Sequence, residues 1–363
     1  MLLAVFLIFI IILVIFNELI IPSFSYRDAR RLVRHQHEIA EHPEDESKDP
    51  LIELFPEPKQ LGDKEEGKRI ALIAPYGMHK RMAMRQRIMP IAISLLERGY
   101  FINIFIPCWD YALSYSEEQL HRDTGVLIFI RKRHWLPKVF DPILIWRLIR
   151  KVIAFQPDII YCFKPIRYSG IVSIVTYFLR KFHLNRTLCK VKKIIIDEDE
   201  WEGFGGWADR IQNPYILRYL RDLQERIALR SCDSVIVGSE ELKTRALAIR
   251  KGKNNVVVVP NGIMVELWPK RSSIIIPNKL SKRLSQFLHP EPLLLYTRFV
   301  EIKAEEIIKI LSKVLISIPN AILLIVGTSF EPEGRYQRLK LMSLAKRENI
   351  EERIIQAGWI PFR

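Results

Sequence analysis

Two stretches of this 363-residue chain carry residues whose types and spacing can do chemistry. The first is Asp197-Glu198-Asp199-Glu200-Trp201-Glu202-Gly203, directly after the strand-like stretch VKKIII at 191–196. Carboxylates two apart at the end of a strand can hold a divalent cation, accept hydroxyl protons, or simply face water. Trp201 and Trp207 offer rings that can stack on a sugar face, and Gly205-Gly206 allows a backbone to come close to a ligand. The second is Leu293–Glu306, where Arg298 and, five residues later, Lys303 sit between an apolar run and a helical pattern. Strand, two-cation turn and helix start suit an anion, because N–H groups are unpaired there and the dipole is positive. The plainer alternative is a pair of solvated cations, since Glu305 and Glu306 already answer that dipole. His79 and Lys80, after Pro75-Tyr76-Gly77, are either contacts for a phosphate or sugar or ordinary exposed loop residues.

These residues need elements to position them. Mainly apolar runs at 69–74, 101–106, 126–130, 158–162, 191–196, 234–237 and 255–259 have strand length. Helical patterns separate most of them, at 81–98, 143–155, 170–182, 215–231 and 240–250. Short apolar strands alternating with helices predict parallel βα units, about seven strands in one doubly wound domain spanning 67–262. Residues 263–290 lose periodicity and read as an interdomain connection. A second α/β domain then occupies 291–363, with strands at 293–296, 321–326 and 353–357 and helices at 304–318 and 335–349.

Residues 1–21 are almost wholly apolar, with only Asn17 and Glu18 breaking the run. At about 1.5 Å per residue they just span a bilayer core. No cation precedes them and no small-residue cleavage site follows, so an uncleaved transmembrane anchor is expected rather than a signal peptide. Arg27, Arg30, Arg31 and Arg34 follow the span, which places the body on the cytoplasmic side. Residues 22–66 are acidic and broken by Pro43, Pro50, Pro56 and Pro58, as a juxtamembrane linker would be. The formal charge of +15 lies in the body, since 22–66 hold 7 Lys/Arg against 12 Asp/Glu. A basic body suits membrane lipids or phosphorylated ligands. No helix-turn-helix, zinc finger or RNP pattern points to nucleic acid. Four widely spaced cysteines without a Cys-x-x-Cys pair indicate reduced thiols and no zinc site.

Several pieces coincide in order and spacing: the strand and turn at 68–77, IAISLLERGYFINIFIP from residue 91, VVPNG at 258–262, Arg298 with Lys303, and AGWIP at 357–361. Together they resemble the GT-B glycosyltransferases of the family 4 type, over residues 68–363. The resemblance implies two Rossmann-like domains, an N-terminal one for the acceptor and a C-terminal one for a UDP- or GDP-linked sugar. It implies a retaining transfer without a metal or a separate cofactor. Arg298 and Lys303 match the family's Gly-Arg-x4-Lys-Gly pair that holds the donor diphosphate, although Thr297 and Ala304 replace its glycines. Gly77 matches the loop glycine near the donor phosphates and the reacting carbon. Asp197 and Asp199 become the candidate catalytic acids, and His79, Trp201, Glu202, Gly205 and Gly206 the candidate acceptor contacts. A GT-A metal site at the Asp-x-Asp run is the rival, but it leaves the second α/β unit unexplained. The family's Glu-x7-Glu segment and last crossing helix have no counterpart here. The second domain is therefore expected to be incomplete, whether as a fragment, as a chain completed by a second polypeptide, or as a non-catalytic relative. Weak or no transfer by the isolated chain is the corresponding expectation. The acceptor is expected to be a membrane-associated or envelope glycan, or a lipid-linked one.

Overall fold

The computed structural model describes residues 68–75, 87–108, 121–122, 125–131, 142–210, 215–262, 293–296, 302–326 and 332–358. Residues 1–21, the linker 22–66, Gly77, His79, the connection 263–290 and Arg298 lie outside them. The chain divides into two compact units, Met1–Val265 and Glu266–Arg363.

The first unit is built on an eight-stranded sheet. Its elements are β1 (Arg69–Ile73), α1 (Met89–Glu97), β2 (Phe101–Cys108), β3 (His121–Arg122), β4 (Gly125–Arg131), α2 (Pro142–Phe155), β5 (Ile159–Phe163), α3 (Arg167–Lys181), α4 (Arg186–Cys189), β6 (Lys193–Glu198), α5 (Trp207–Arg210), α6 (Tyr215–Ser231), β7 (Ser234–Val237), α7 (Glu240–Arg250) and β8 (Val256–Val258). The strand order is β3-β4-β2-β1-β5-β6-β7-β8. All neighbours are parallel except β3, which pairs antiparallel with β4. The seven expected strands are present, and β3 is an addition too short to show a pattern.

Local chemistry sets the element ends. Pro90 sits in the first turn of α1, where its missing N–H costs nothing. Gly99 ends that helix at φ +83°, a left-handed conformation that favours glycine. Ser239 caps α7 by accepting from the Leu242 N–H. Beyond the exposed Arg69, strands β1 and β5 are largely buried and carry no charged residue because both faces of the sheet are covered. One core cluster gathers Leu148 of α2, Val172 of α3, Leu229 of α6 and Ile249 of α7 against the strands. Cys162 and Cys232 are free, buried thiols. Burial pushes both up, Cys232 to about 11.

The second unit holds a three-stranded parallel sheet, β11-β10-β9, from β9 (Leu293–Tyr296), β10 (Ile322–Val326) and β11 (Ile354–Gly358). Helices α8 (Ala304–Ser317) and α9 (Pro332–Arg347) pack on it through Ile307, Leu311 and Leu341. Among the described residues no helix is long and apolar enough to cross a membrane. None of their His, Cys, Asp and Glu side chains gather in a group able to hold a metal ion.

Candidate functional site

In the first sheet the chain leaves β1 toward β2 on one side and continues through β5 and β6 on the other. Open α/β sheets bind ligands beyond the carboxyl ends of strands at such a reversal. The acid loop stands at that end, after β6, beside the turn that follows β5. That turn is unusual: Lys164 and Arg167 both have positive φ, +65° and +56°. Neither is glycine, so each conformation is strained and held by its surroundings. The Lys164 N–H donates to the Asp197 carbonyl at 2.7 Å, and the Ser169 hydroxyl donates to the Lys164 carbonyl at 2.8 Å.

β6 runs on into the acids, which need partners because they enter the sheet. Asp197 is fully buried. Arg87 Nε and Nη2 donate to its two oxygens, each at 2.7 Å, and the Tyr161 hydroxyl donates to Oδ2. Arg87 also donates to Asn261 Oδ1 at 2.6 Å and to the Val259 carbonyl at 3.1 Å. One guanidinium thus joins the start of α1, the end of β6 and the segment after β8. Burial works against that charge, but Asp197 outweighs it and raises the Arg87 pKa. Burial, with Asp197 beside it, pushes the Tyr161 phenol far up, so it stays a donor.

Lys164 serves the next three acids. Its Nζ lies 3.0 Å from Asp199, 2.6 Å from Glu200 and 2.7 Å from Glu202. Arg221 of α6 takes the other oxygen of Glu202. Arg245 of α7 bridges Glu198, at 2.9 Å, and Glu225. Glu225 also accepts the backbone N–H groups of Glu202 and Gly203, at 2.9 and 3.2 Å. Asp222 accepts from the Phe204 N–H at 3.0 Å and pairs with Arg226. Five cations therefore stand among seven carboxylates. Glu200, 39% exposed, is offset by water. Burial first, and Glu225 second, push Glu198 well above the usual carboxylate range, so one carboxyl of that pair keeps its proton. The remaining charges balance, as a buried cluster requires.

Three other features complete the geometry. The Trp201 ring lies under Arg245, 4.4 Å from guanidinium carbon to ring centroid. Gly205 and Gly206 accommodate that same ring: a Cβ on Gly205 would come 2.5 Å from Trp201 Cζ2, and one on Gly206 2.6 Å from its Cγ. On the Cβ side of this glycine pair the space is filled by the indole. Gly203 is equally constrained, since a Cβ there would lie 2.5 Å from Glu225 Oε2.

The structure brings Asp197, Asp199, Trp201, Glu202, Gly205 and Gly206 together in one loop. Asp199 and Glu202 are nearly sealed, at 6% and 2% side-chain exposure, whereas Glu200 opens to solvent. Burial raises the Asp199 carboxyl despite Lys164. Burial also opposes ionisation of Glu202, yet Lys164 and Arg221 together hold it at about 2. Tyr161, Lys164, Arg221, Glu225 and Arg245 escaped sequence reasoning, because they lie 19 to 47 residues from their partners.

The two shifts give opposite pH limbs. Glu202 ionises more readily folded than unfolded, about 2 against 4.5, which is worth about 3 kcal/mol at 1.36 kcal/mol per unit. That stability is present above the unfolded value and is lost as pH falls through the folded one. Glu198 is shifted upward, so its contribution is lost as pH rises above 4.5 toward its raised value. Local stability of the loop should peak near pH 4.5. Hydrogen exchange of its amides across pH checks this: Glu202→Gln should flatten the acid limb, and Glu198→Gln together with Asp199→Asn the alkaline one, since burial raises both of those carboxyls.

In the second unit Lys303 stands exposed at the N-cap of α8. The Ala304 N–H already donates to Gln337 Oε1 at 3.0 Å, and Glu305 pairs with Lys340. Part of this helix start is therefore occupied from within the chain.

Comparison with protein families matches residues 86–267, half of the chain, to the model of Glycosyltransferase Family 4. The chain belongs to that family. A search of curated proteins gave no match. Among solved structures, the catalytic domain of starch synthase IV from Arabidopsis thaliana, bound to ADP and acarbose, aligns at TM-score 0.51 and 12% identity, covering 82% of this chain and 75% of its own. Alr3699/HepE from Anabaena in complex with UDP aligns at TM-score 0.49 and 13% identity, covering 81% and 69%. UDP-GlcNAc 2-epimerase from Methanocaldococcus jannaschii aligns at 0.47 and 12%, covering 81% and 74%. The family 4 chain thus has a mixed α/β fold with parallel sheets resembling GT-B glycosyltransferases.

Proposed function

We propose that this chain moves a sugar, with retention, from a UDP- or GDP-linked donor to a glycan acceptor at the cytosolic face of a membrane. The observation that carries the reading is the family match, which spans the whole acid loop and its partners. Arg298 and Lys303 supply the cations for the donor diphosphate, whose departure as a nucleoside diphosphate concentrates negative charge that fixed cations stabilise. Lys303 at the N-cap of α8 is suitably exposed for this. In this reading Gly77 is assigned to the donor phosphates and His79 to the acceptor, as the family resemblance implies.

Within the acid loop the roles divide by exposure. Asp197, Asp199 and Glu202 are held by cations and keep the loop in shape. Glu200 is the carboxylate of 197–202 placed to accept a hydrogen bond from an acceptor hydroxyl. The apolar segment 1–21 anchors the chain in the membrane, with the body on the cytosolic side. The near-complete engagement of the buried acids also favours a second reading, a membrane-tethered protein that binds the nucleotide sugar without turning it over.

Calorimetric titration of the full chain with UDP and with GDP tests the donor site. One of them should bind, and Arg298→Ala or Lys303→Ala should weaken it by about 10- to 100-fold, the worth of a charge-assisted contact. Absence of binding by both nucleotides would overturn the reading. Binding without sugar release from the donor would select the non-catalytic alternative.

A further inference from the structure

The end of the large sheet opposite the acid loop is where exposed cations gather. The connections entering β1, β2, β5, β6, β7 and β8 meet there. Backbone hydrogen bonds tie them together: Phe101 N–H to the Lys68 carbonyl at 3.1 Å, Asp158 N–H to Arg69 at 2.8 Å, Lys192 N–H to Asp158 at 2.8 Å, and Asp233 N–H to Ile194 at 2.9 Å. Lys68, Arg98, Arg186, Lys190, Lys193 and Lys253 are all exposed along this end. Among its described residues Glu97 is the exposed acid, since Asp158 pairs with Lys192 at 3.0 Å and Asp233 with Arg180 at 2.7 Å. Two large apolar side chains project from the same connection into β6: Phe182 is 59% exposed and Leu184 is 50% exposed. Phe182 stacks on Phe178, with centroids 6.1 Å apart, which keeps its ring on the surface.

An aromatic ring and a leucine ringed by Lys and Arg match the bilayer interface. Apolar groups enter the acyl boundary while cations meet lipid phosphates. A nucleic acid would use the cations but leave Leu184 against water. The course of the chain also selects the bilayer: Lys68 opens β1 at this very end, and the linker 22–66 joins it to the apolar segment 1–21.

We infer that this end of the N-terminal unit docks on an anionic bilayer, with Phe182 and Leu184 entering the headgroup layer and the surrounding Lys and Arg side chains against lipid phosphates. The inference builds on the proposed membrane anchoring but has its own chemical signature, dependence on lipid charge. It also places the acid loop at the far ends of the strands. Six residues of β6, rising about 3.3 Å each, put that loop roughly 20 Å from the surface. The acceptor group is then the outer end of a glycan, not the sugar next to the lipid.

The test is hydrogen exchange of the full chain with phosphatidylcholine vesicles and with vesicles rich in phosphatidylglycerol. On the anionic vesicles the amides of 182–193 should slow about tenfold and recover with salt. The triple variant Arg186→Glu, Lys190→Glu, Lys193→Glu should lose this slowing, while the amides of β5 and β6 exchange as before and report an intact fold. Association with both vesicle types and no slowing at 182–193 would keep the anchor and overturn the docking face. Slowing on anionic vesicles by a chain that ignores phosphatidylcholine would remove the anchor and support the docking face. Slowing by duplex RNA and not by anionic vesicles would assign the face to nucleic acid and overturn the inference.

Discussion

Arg87→Ala is expected to destabilise the N-terminal unit by about 3–5 kcal/mol, the range for removing one partner of a buried ion pair. Asp197 would remain in the sheet with no access to water, its two oxygens left to the Tyr161 hydroxyl alone among the partners described. The loss would spread, because the same guanidinium holds Asn261 and the Val259 carbonyl. Urea unfolding followed on the β6 amides should show a lower midpoint with an unchanged slope. A loss below about 1 kcal/mol would mean that Asp197 finds water or another donor, and the latch would be discarded. Arg87→Met with Asp197→Leu separates the pair from its parts. If the damage comes from an orphaned charge, the double variant should recover much of what Arg87→Ala loses, since apolar replacements of buried pairs are often neutral.

That latch also shows what the sequence could and could not reveal. Strand–helix alternation was legible because each element buries a continuous apolar run. Tyr215–Ser231, Ser234–Val237, Glu240–Arg250 and Leu293–Tyr296 have the bounds that periodicity predicts. The end of β6 did not follow the pattern. Hydropathy stops at residue 196, yet Asp197 and Glu198 continue the ladder opposite Ile236 and Val237. Charged residues pair there only because Arg87, 110 positions earlier, and Arg245, 47 positions later, neutralise them. Such partnerships leave no local periodicity. α4 and α5 are four residues each, too short for a helical stripe, although Asn185 caps α4 by accepting from the Leu188 N–H.

The site was legible in its types and not in its connections. Its acids, tryptophans and glycines were visible at once, and they do share one loop. Their spacing alone left an acceptor site and a solvated loop both open, with a metal site the weaker rival. The cations decide how the loop is held. On their Cβ side the glycines make room for Trp201, and the acids that looked most available, Asp197 and Asp199, are among the least exposed.

Lys164→Met should be as damaging as loss of Arg87, and for a related reason. The methionine keeps an apolar stem of similar length but removes the charge that lies 3.0 Å from Asp199 and 2.7 Å from Glu202. Glu202 keeps Arg221, whereas Asp199 keeps no cation among its described partners. A loss of about 3–5 kcal/mol at neutral pH is expected from the broken buried pair. The pH profile separates electrostatics from packing. With one of its two cations gone, the Glu202 carboxyl should rise from about 2, and the acid limb of the loop's stability should shrink. A variant harmed only through packing would keep that limb. Backbone strain provides a further control, because Lys164 sits at φ +65° and methionine inherits the strain unchanged. Lys164→Gly relieves it, recovering about 1–2 kcal/mol at most. If Lys164→Gly proved as stable as the wild type, the lysine would be a strained surface cation and not the centre of the loop. If both variants lose stability while Lys164→Met with Asp199→Asn and Glu202→Gln regains it, the charge on Nζ is what holds the acids in place.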